Sequence, residues 1–347
     1  MRTALVVVPT LNEVRTIAAV LESLSVDPPA DVALRFIVAD GGSTDGTREM
    51  VRALAAQRND LRLLHNPDRR QGPGVNRAVL AHGGDADVLI RADAHAHYPP
   101  GFCASLLDTL DRTGADAVVV PMDSHGEGCF QRAVAWVSDT PVGSGGAAHR
   151  GGRRSGFVDH GHHAAFRLDT FRRAGGYDAS LRSNEDGEFD CRQRALGARI
   201  YLDATVRVAY HPRATPRSLA KQYFDYGWGR SCTLRRHPSS ARLRQLAVPA
   251  HFAVTLGALL ATPWWPALLV WPASYLAVLA ATSIGLAWRH RSACALLAGV
   301  AAAVMHAAWA AGFVAALRGS PQPRWRAPMA APLGSALRPP LAAGTDR

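Results

Sequence analysis

Two stretches of the chain, residues 245–288 and 292–317, contain no Asp, Glu, Lys or Arg. Forty-four uncharged residues wound as a helix would extend about 66 Å, twice the roughly 30 Å hydrocarbon core of a bilayer. The break falls at Thr262-Pro263-Trp264-Trp265-Pro266, where prolines turn the chain and tryptophans suit a membrane interface. The pattern predicts three apolar segments, near 246–262, 264–288 and 293–317. Pro249 and His251 leave the first open between a crossing and a re-entrant segment. A buried helical pair in a soluble protein is the alternative, but charge-free runs this long rarely suit water.

Charge is distributed to match. Residues 1–229 carry 27 basic and 27 acidic side chains, whereas 230–347 carry 12 arginines against Asp346 alone and so hold the whole net charge of +11. A basic excess interleaved with apolar runs points to a membrane surface and not to nucleic acid. Arg235, Arg236, Arg242 and Arg244 belong on the cytoplasmic side. Three crossings would then export the arginines of the tail, against the positive-inside tendency. The Pro/Ala-rich tail, 319–347, reads as disordered. Leu5 to Val8 is too short for a signal-peptide core, so the N-terminal part is expected in the cytoplasm of a multi-pass cell-membrane protein. The cysteines at 103, 129, 191, 232 and 294 make no CxxC pair, so neither a zinc site nor a disulfide framework is expected.

Upstream of residue 230 the pattern alternates. Ala4 to Val8 and Arg35 to Ala39 are continuous apolar runs, the mark of parallel strands buried on both faces. Shorter strands read at 61–64 and 87–91. Helices read at 13–24 (capped by Asn12), 47–57 and 74–82, which makes an α/β fold with a mostly parallel sheet. Ligands of such sheets sit beyond the C-terminal strand ends. Those ends read Pro9-Thr10-Leu11-Asn12-Glu13, Asp40-Gly41-Gly42 and Ala92-Asp93-Ala94-His95. Asp40 is placed to accept hydrogen bonds from a base or ribose, and the glycines permit close approach of backbone to ligand. The Gly/Ser-rich run 140–156 reads as a mobile loop.

These motifs resemble those of family 2 glycosyltransferases with the GT-A fold. Val8-Pro9-Thr10-Leu11-Asn12-Glu13 and Asp40-Gly41-Gly42-Ser43-Thr44-Asp45-Gly46-Thr47 match the family's opening. Arg91 to Pro99 and Asn184-Glu185-Asp186 look like its succinoglycan-biosynthesis ExoA-type branch. The resemblance covers about residues 4–230. It implies a glycosyltransferase domain over 1–230, an interfacial and membrane-helix region over 231–318, and the tail beyond. By the same resemblance Pro9, Asn12, Glu13 and Asp40 line the nucleotide pocket, and Asn76 and Arg77 face the nucleotide sugar. Asp93 and His95 stand where the fold carries its metal-binding DxD, and His97 falls on the surface. An imidazole in that pair favours Mn²⁺ over Mg²⁺, which prefers oxygen. The ED pair implies Asp186 as the base that takes the acceptor's proton in an inverting displacement, although Asn184 or Asp186 as a plain helix cap is the competing reading. Glu185, His160 and His162 are assigned to the acceptor, and Asp159 is the fallback base. The cluster of Asp159, His160, His162 and His163 lacks the ligand spacing of zinc.

In place of the QxxRW of processive synthases, Gln222 is followed by Tyr-Phe-Asp-Tyr, which implies addition of one sugar; Arg230 is left to help hold the diphosphate. The reading is therefore transfer of a hexose from a nucleotide-diphospho-sugar, a UDP-sugar by analogy, to a lipid-linked oligosaccharide of exopolysaccharide assembly. A polyprenyl monophosphate acceptor is the runner-up. A dinucleotide-dependent dehydrogenase lacks its GxGxxG after the first strand. A GT-A scaffold without metal binding is the non-enzymatic rival.

Overall fold

A computed structural model of the chain describes residues 2–146, 150 and 152–319. Strand β1 (Arg2–Thr10) is buried from Thr3 onward and sits inside the sheet. Its side chains alternate between two cores. Ala4, Val6 and Val8 pack with Phe36, Ile90 and Leu106 on one face. Leu5 and Val7 pack with Ile37, Leu89, Phe166 and Phe189 on the other. Burial on both faces explains the unbroken apolar run.

Helix α1 (Ile17–Ser25) leads to β2 (Val32–Asp40), α2 (Thr47–Gln57) to β3 (Leu61–His65), and α3 (Gln71–His82) to β4 (Val88–Arg91). Then follow α4 (Phe102–Thr113), β5 (Ala117–Val120), β6 (Met122–Ser124), α5 (Cys129–Ser138), α6 (Pro141–Ser144), β7 (Gly156–Val158), β8 (His162–Arg167) and α7 (Leu168–Arg173). Helix α8 (Glu185–Ala195), β9 (Ile200–Leu202) and β10 (Val208–Tyr210) complete the α/β body. The main sheet runs β3-β2-β1-β4-β8-β5-β9-β7. Strand β8 is antiparallel to β4 and β5, and β7 to β9; the other pairs are parallel. The reversal at β8 matters for function, because its first residue, His162, stands beside the last residues of its neighbours.

Four helices close the described chain: α9 (Pro216–Arg236), α10 (Leu243–Ala261), α11 (Val270–His290) and α12 (Ala298–Leu317). The segments Leu243–Ala261, Pro266–His290 and Ala293–Leu317 are each long and apolar enough to cross a membrane.

Three sequence expectations change. Asn12 does not cap a helix: it has φ 58°, and α1 begins at Ile17, after a bonded turn. The 140–156 run contains α6, capped by the Thr140 hydroxyl, and Arg150, whose guanidinium lies over the Tyr210 ring; residues 147–149 and 151 lie outside the described residues. Cys129 and Cys294 form a disulfide across 165 residues, a pairing made by the packing of α5 against the 3₁₀ turn Ala293–Leu297 and invisible to local spacing. The expected disordered tail, from residue 320 on, lies outside the described residues.

Candidate active site

Because β1, β2 and β4 are parallel, their C-terminal ends open at one edge, and three groups of side chains meet there. The first is the pair of loops that follow β1 and β2. Asp40 Oδ1 accepts the backbone N–H groups of Gly42 (2.9 Å) and Ser43 (3.0 Å), and Oδ2 accepts the Ser43 hydroxyl. Gly42 sits at φ 85°, a conformation costly for any other residue. The left-handed Asn12 is held from both sides: its N–H donates to Ser43 Oγ (2.8 Å) and its Oδ1 accepts the Thr44 N–H (2.9 Å). Pro9 is buried beside Ala39. These loops are stiff before any ligand arrives.

The second group follows β4. Arg91 is 3% exposed. It donates to Gln71 Oε1 (2.6 Å), lies 3.6 Å from Asp93 Oδ1 and 3.9 Å from Glu185 Oε1, and is stacked over the Tyr177 ring. A buried guanidinium needs such partners, since an unpaired charge in the interior is prohibitively costly. The Asp93 N–H donates to the Tyr98 hydroxyl, which pins the strand end. Two residues on, His95 Nδ1 meets Glu13 Oε1 at 2.9 Å, so the carboxylate orients the ring. His97 is exposed, as expected.

The third group comes from β8 and α8. Left-handed Asn184 starts α8, which brings Glu185 and Asp186 to the same edge. Asp186 Oδ2 lies 2.9 Å from His162 Nδ1, and His162 Nε2 lies 3.7 Å from Asp93 Oδ2. The imidazole thus bridges the two carboxylates. One turn along α8, Asp190 holds His160 Nδ1 at 2.6 Å and accepts from Gln193. Gly161 abuts Val119 so closely that a methyl group would overlap it, which fixes the backbone between the two histidines.

Electrostatics follow from this packing. Burial opposes ionisation of Asp186, but the His162 hydrogen bond and the charges of His160, His162 and Arg91 outweigh it and hold the carboxyl far below the usual range. Burial likewise opposes charge on His162, yet Asp186 and Asp93 push it up to about 9. Burial, and then the neighbouring Asp186 charge, push Glu185 up. The Glu13 hydrogen bond raises His95. The adjacent carboxyls Glu185 and Asp186 are driven apart, the behaviour of acid–base sites.

The structure therefore gathers Glu13, Asp93, His95, His162, Glu185 and Asp186 at one strand-end edge, with Asp40 and Asn12 on the neighbouring loops. It turns four expected residues elsewhere. Asn76 exchanges both hydrogen bonds with the Tyr177 backbone (2.7 and 2.9 Å), and half-exposed Arg77 pairs with Asp68. Arg230 points to Ser240 and to Gln245 Oε1 (2.9 Å), because its face of α9 packs on the 3₁₀ turn Pro238–Ser240. Asp159 is taken by Arg194 and Arg242. The side chain of His163 lies outside the described residues. Arg91, Gln71 and Tyr177 were not foreseen as a unit. The available signal was a cation closing an otherwise fully apolar strand, which demands acidic partners.

Among the described residues, no three His, Cys, Asp or Glu side chains close into a metal cage. The donors present nonetheless fit an open divalent site. Asp93 supplies a carboxylate, and His95 keeps Nε2 while Glu13 fixes Nδ1, the usual arrangement behind a metal-ligating histidine.

A mostly parallel central sheet, with β8 and the edge strand β7 reversed, and an acidic cluster at its strand ends are those of the GT-A fold. The mannosyltransferase PcManGT from Pyrobaculum calidifontis, solved in complex with GDP-Man and Mn2+, superposes with a TM-score of 0.59 at 20% identity, over 91% of this chain and 87% of that one. The chain belongs to glycosyl transferase family 2, whose family model matches residues 5–175, and it is a glycosyltransferase. It is 42% identical over 315 residues to the succinoglycan biosynthesis protein ExoA of Rhizobium meliloti (strain 1021), covering 89% of this chain and 93% of that protein. A second relative, 22% identical over 245 residues (67% of this chain, 74% of that one), is the dolichyl N-acetyl-alpha-D-glucosaminyl phosphate 3-beta-D-2,3-diacetamido-2,3-dideoxy-beta-D-glucuronosyltransferase of Methanococcus voltae.

Proposed function

We propose that the enzyme transfers one hexose, with inversion, from a nucleotide-diphospho-sugar to a lipid-linked saccharide during exopolysaccharide assembly. The observation that carries the reading is the position of Asp186: an ionised carboxylate at a helix start, one imidazole away from Asp93. Sugar displacement passes through an oxocarbenium-like state in which the attacking hydroxyl sheds its proton. Asp186 receives it, with His162 fixing the carboxylate and Arg91 holding Asp93 and Glu185 in register. The loops of Asn12 and Asp40 receive the nucleotide. Asp93 and His95 would hold a divalent cation, Mn²⁺ by the imidazole in the set, and that cation would offset charge on the leaving diphosphate. Its remaining ligands would come from the donor and water.

For the acceptor, the Rhizobium meliloti relative belongs by name to succinoglycan biosynthesis, and the Methanococcus voltae relative is named for a lipid-phosphate-linked sugar substrate. The second name supports a saccharide already on lipid over a bare lipid phosphate. The donor base and sugar, taken as UDP-hexose, rest on family likeness, whereas placement of the site on the cytoplasmic leaflet rests on Arg235, Arg236, Arg242 and Arg244 beside the apolar segments. The test is Asp186→Asn, which keeps shape and removes charge. Transfer should fall at least about a hundredfold while donor binding, followed by calorimetry with Mn²⁺, persists. Near-normal turnover would remove Asp186 as the base.

A further inference from the structure

Three apolar helices of crossing length would ordinarily be read as three crossings, but the packing of α11 and α12 argues against it. Helix α9 is fixed to the α/β body along its length. Gln222 donates to the Tyr210 hydroxyl (3.1 Å) in its first half, and Asn184 donates to Thr233 (2.7 Å) in its second. Arg236 then pairs with Asp178, and His237 with Glu188. Helix α12 lies directly on α9. Gly227 abuts the backbone at Trp309, and Gly312 that at Phe224, so a side chain on either glycine would overlap the opposite helix. Further along, Arg235 donates to the Ala316 carbonyl (2.8 Å). At its other end α12 is tied to α5 and α6 by the Cys129–Cys294 disulfide and by His306 Nε2 on the Val142 carbonyl (2.7 Å).

Helix α11 in turn lies along α12. Tyr275 meets His306 (3.0 Å), Ser283 accepts the Gly299 N–H (2.7 Å), and His290 stacks on Trp136 of α5 at 4.5 Å. From Tyr275 to His290 is about 22 Å of helix, held against α12 and, at His290, against α5. If α11 and α12 stood across a bilayer, α9 would go with them. Its Lys221, 83% exposed, and half-exposed Asp225 would then enter hydrocarbon.

We propose that α10, α11 and α12 do not cross the membrane but form a layer that seats the enzyme in a single leaflet. The outer surface of the layer has the matching chemistry. Along α11 the stripe of Leu276, Ile284 and Trp288 is 63%, 63% and 86% exposed, and Trp264 and Trp265 stand out at the turn after α10. Exposed Arg244, Arg289, Arg291 and Arg318 stand at the ends of these helices, and residues 243–318 contain no Asp or Glu. Apolar area rimmed by tryptophan and arginine fits the headgroup boundary of an anionic leaflet. A seat of this kind also leaves Arg318 on the same side as Arg242, so the positive-inside conflict disappears.

The test is labelling of one cysteine added to the full chain, with the variants Ala267→Cys and Arg318→Cys and a membrane-impermeant maleimide, against the wild-type background. Sugar transfer by each variant serves only as a check of folding, since the proposal does not rest on which sugar moves. Labelling of both should stay at the wild-type background in intact spheroplasts. Arg318→Cys should react fully once the membranes are opened, and Ala267→Cys only after detergent is added. Three crossings would put both positions outside, and a crossing hairpin would put Ala267→Cys outside; labelling of either in intact spheroplasts overturns the seat. Reaction of Ala267→Cys in opened membranes without detergent overturns it too.

Discussion

In the strand-end cluster, Arg91, Asp93, His162, Glu185 and Asp186 are linked by contacts of 2.9–3.9 Å, and none has more than 23% of its side chain exposed. Along the outer face of α11, large apolar side chains stand more than half exposed and touch little. The two regions invert the usual order of a soluble protein, with charge inside and hydrocarbon outside. In the first, each charge is positioned by its neighbours, so geometry is specified residue by residue and a single deletion strands a partner. In the second, position is set by the helix as a whole, and single residues contribute area to whatever lies outside.

The sharpest way to break that contrast is Arg91→Leu. It leaves buried Asp93 and Glu185 without their cation, and the expected loss is about 3–5 kcal/mol of unfolding free energy, read from chemical denaturation. A loss no larger than that of an ordinary surface substitution would mean the cluster is not charge-positioned.

A smaller effect separates charge from shape. His162 is pushed up to about 9 from an ordinary value near 6.5. A group raised on folding contributes stability that is complete below its unfolded value and is lost as pH rises through its folded value. Asp186, held low, has the opposite sign: its contribution is present above the ordinary carboxylate range and is lost as acid protonates it. The gap in thermal midpoint between the wild type and His162→Gln should therefore be widest near pH 6 and should close above about pH 9. A gap unchanged from pH 6 to pH 10 would show that the imidazole is held neutral.

Least of all should change with Lys221→Ala. The Lys221–Asp225 pair, 83% and 45% exposed at 3.5 Å, is worth roughly 0–1 kcal/mol. A larger loss would place that face of α9 in a contact of its own.

How much of this was legible in the residues follows the same division. The strand-end motifs were readable because their chemistry is local: Asp40 to Thr47 builds its own turn, and Glu185-Asp186 opens its own helix. The lengths of the apolar segments were readable too, since composition alone sets them. Long-range packing was not. The role of Arg91 depends on Glu185, 94 positions away; the mate of Cys129 is 165 positions away; and the partner of α12 is a charged helix that no hydropathy pattern nominates. Asn76, Arg77 and Arg230 were expected at the donor, the first two by resemblance, and their side chains here answer to Tyr177, Asp68 and Ser240.

The acceptor is identified most directly by where the sugar goes. Membranes containing the enzyme, supplied with Mn²⁺ and a radiolabelled nucleotide sugar, should yield label in the lipid extract, in a species that mild acid releases as an oligosaccharide. Label released as a single sugar would move the acceptor to a lipid monophosphate. Label confined to water-soluble product would contradict both the lipid-linked acceptor and the reason for holding the strand-end cluster against a membrane.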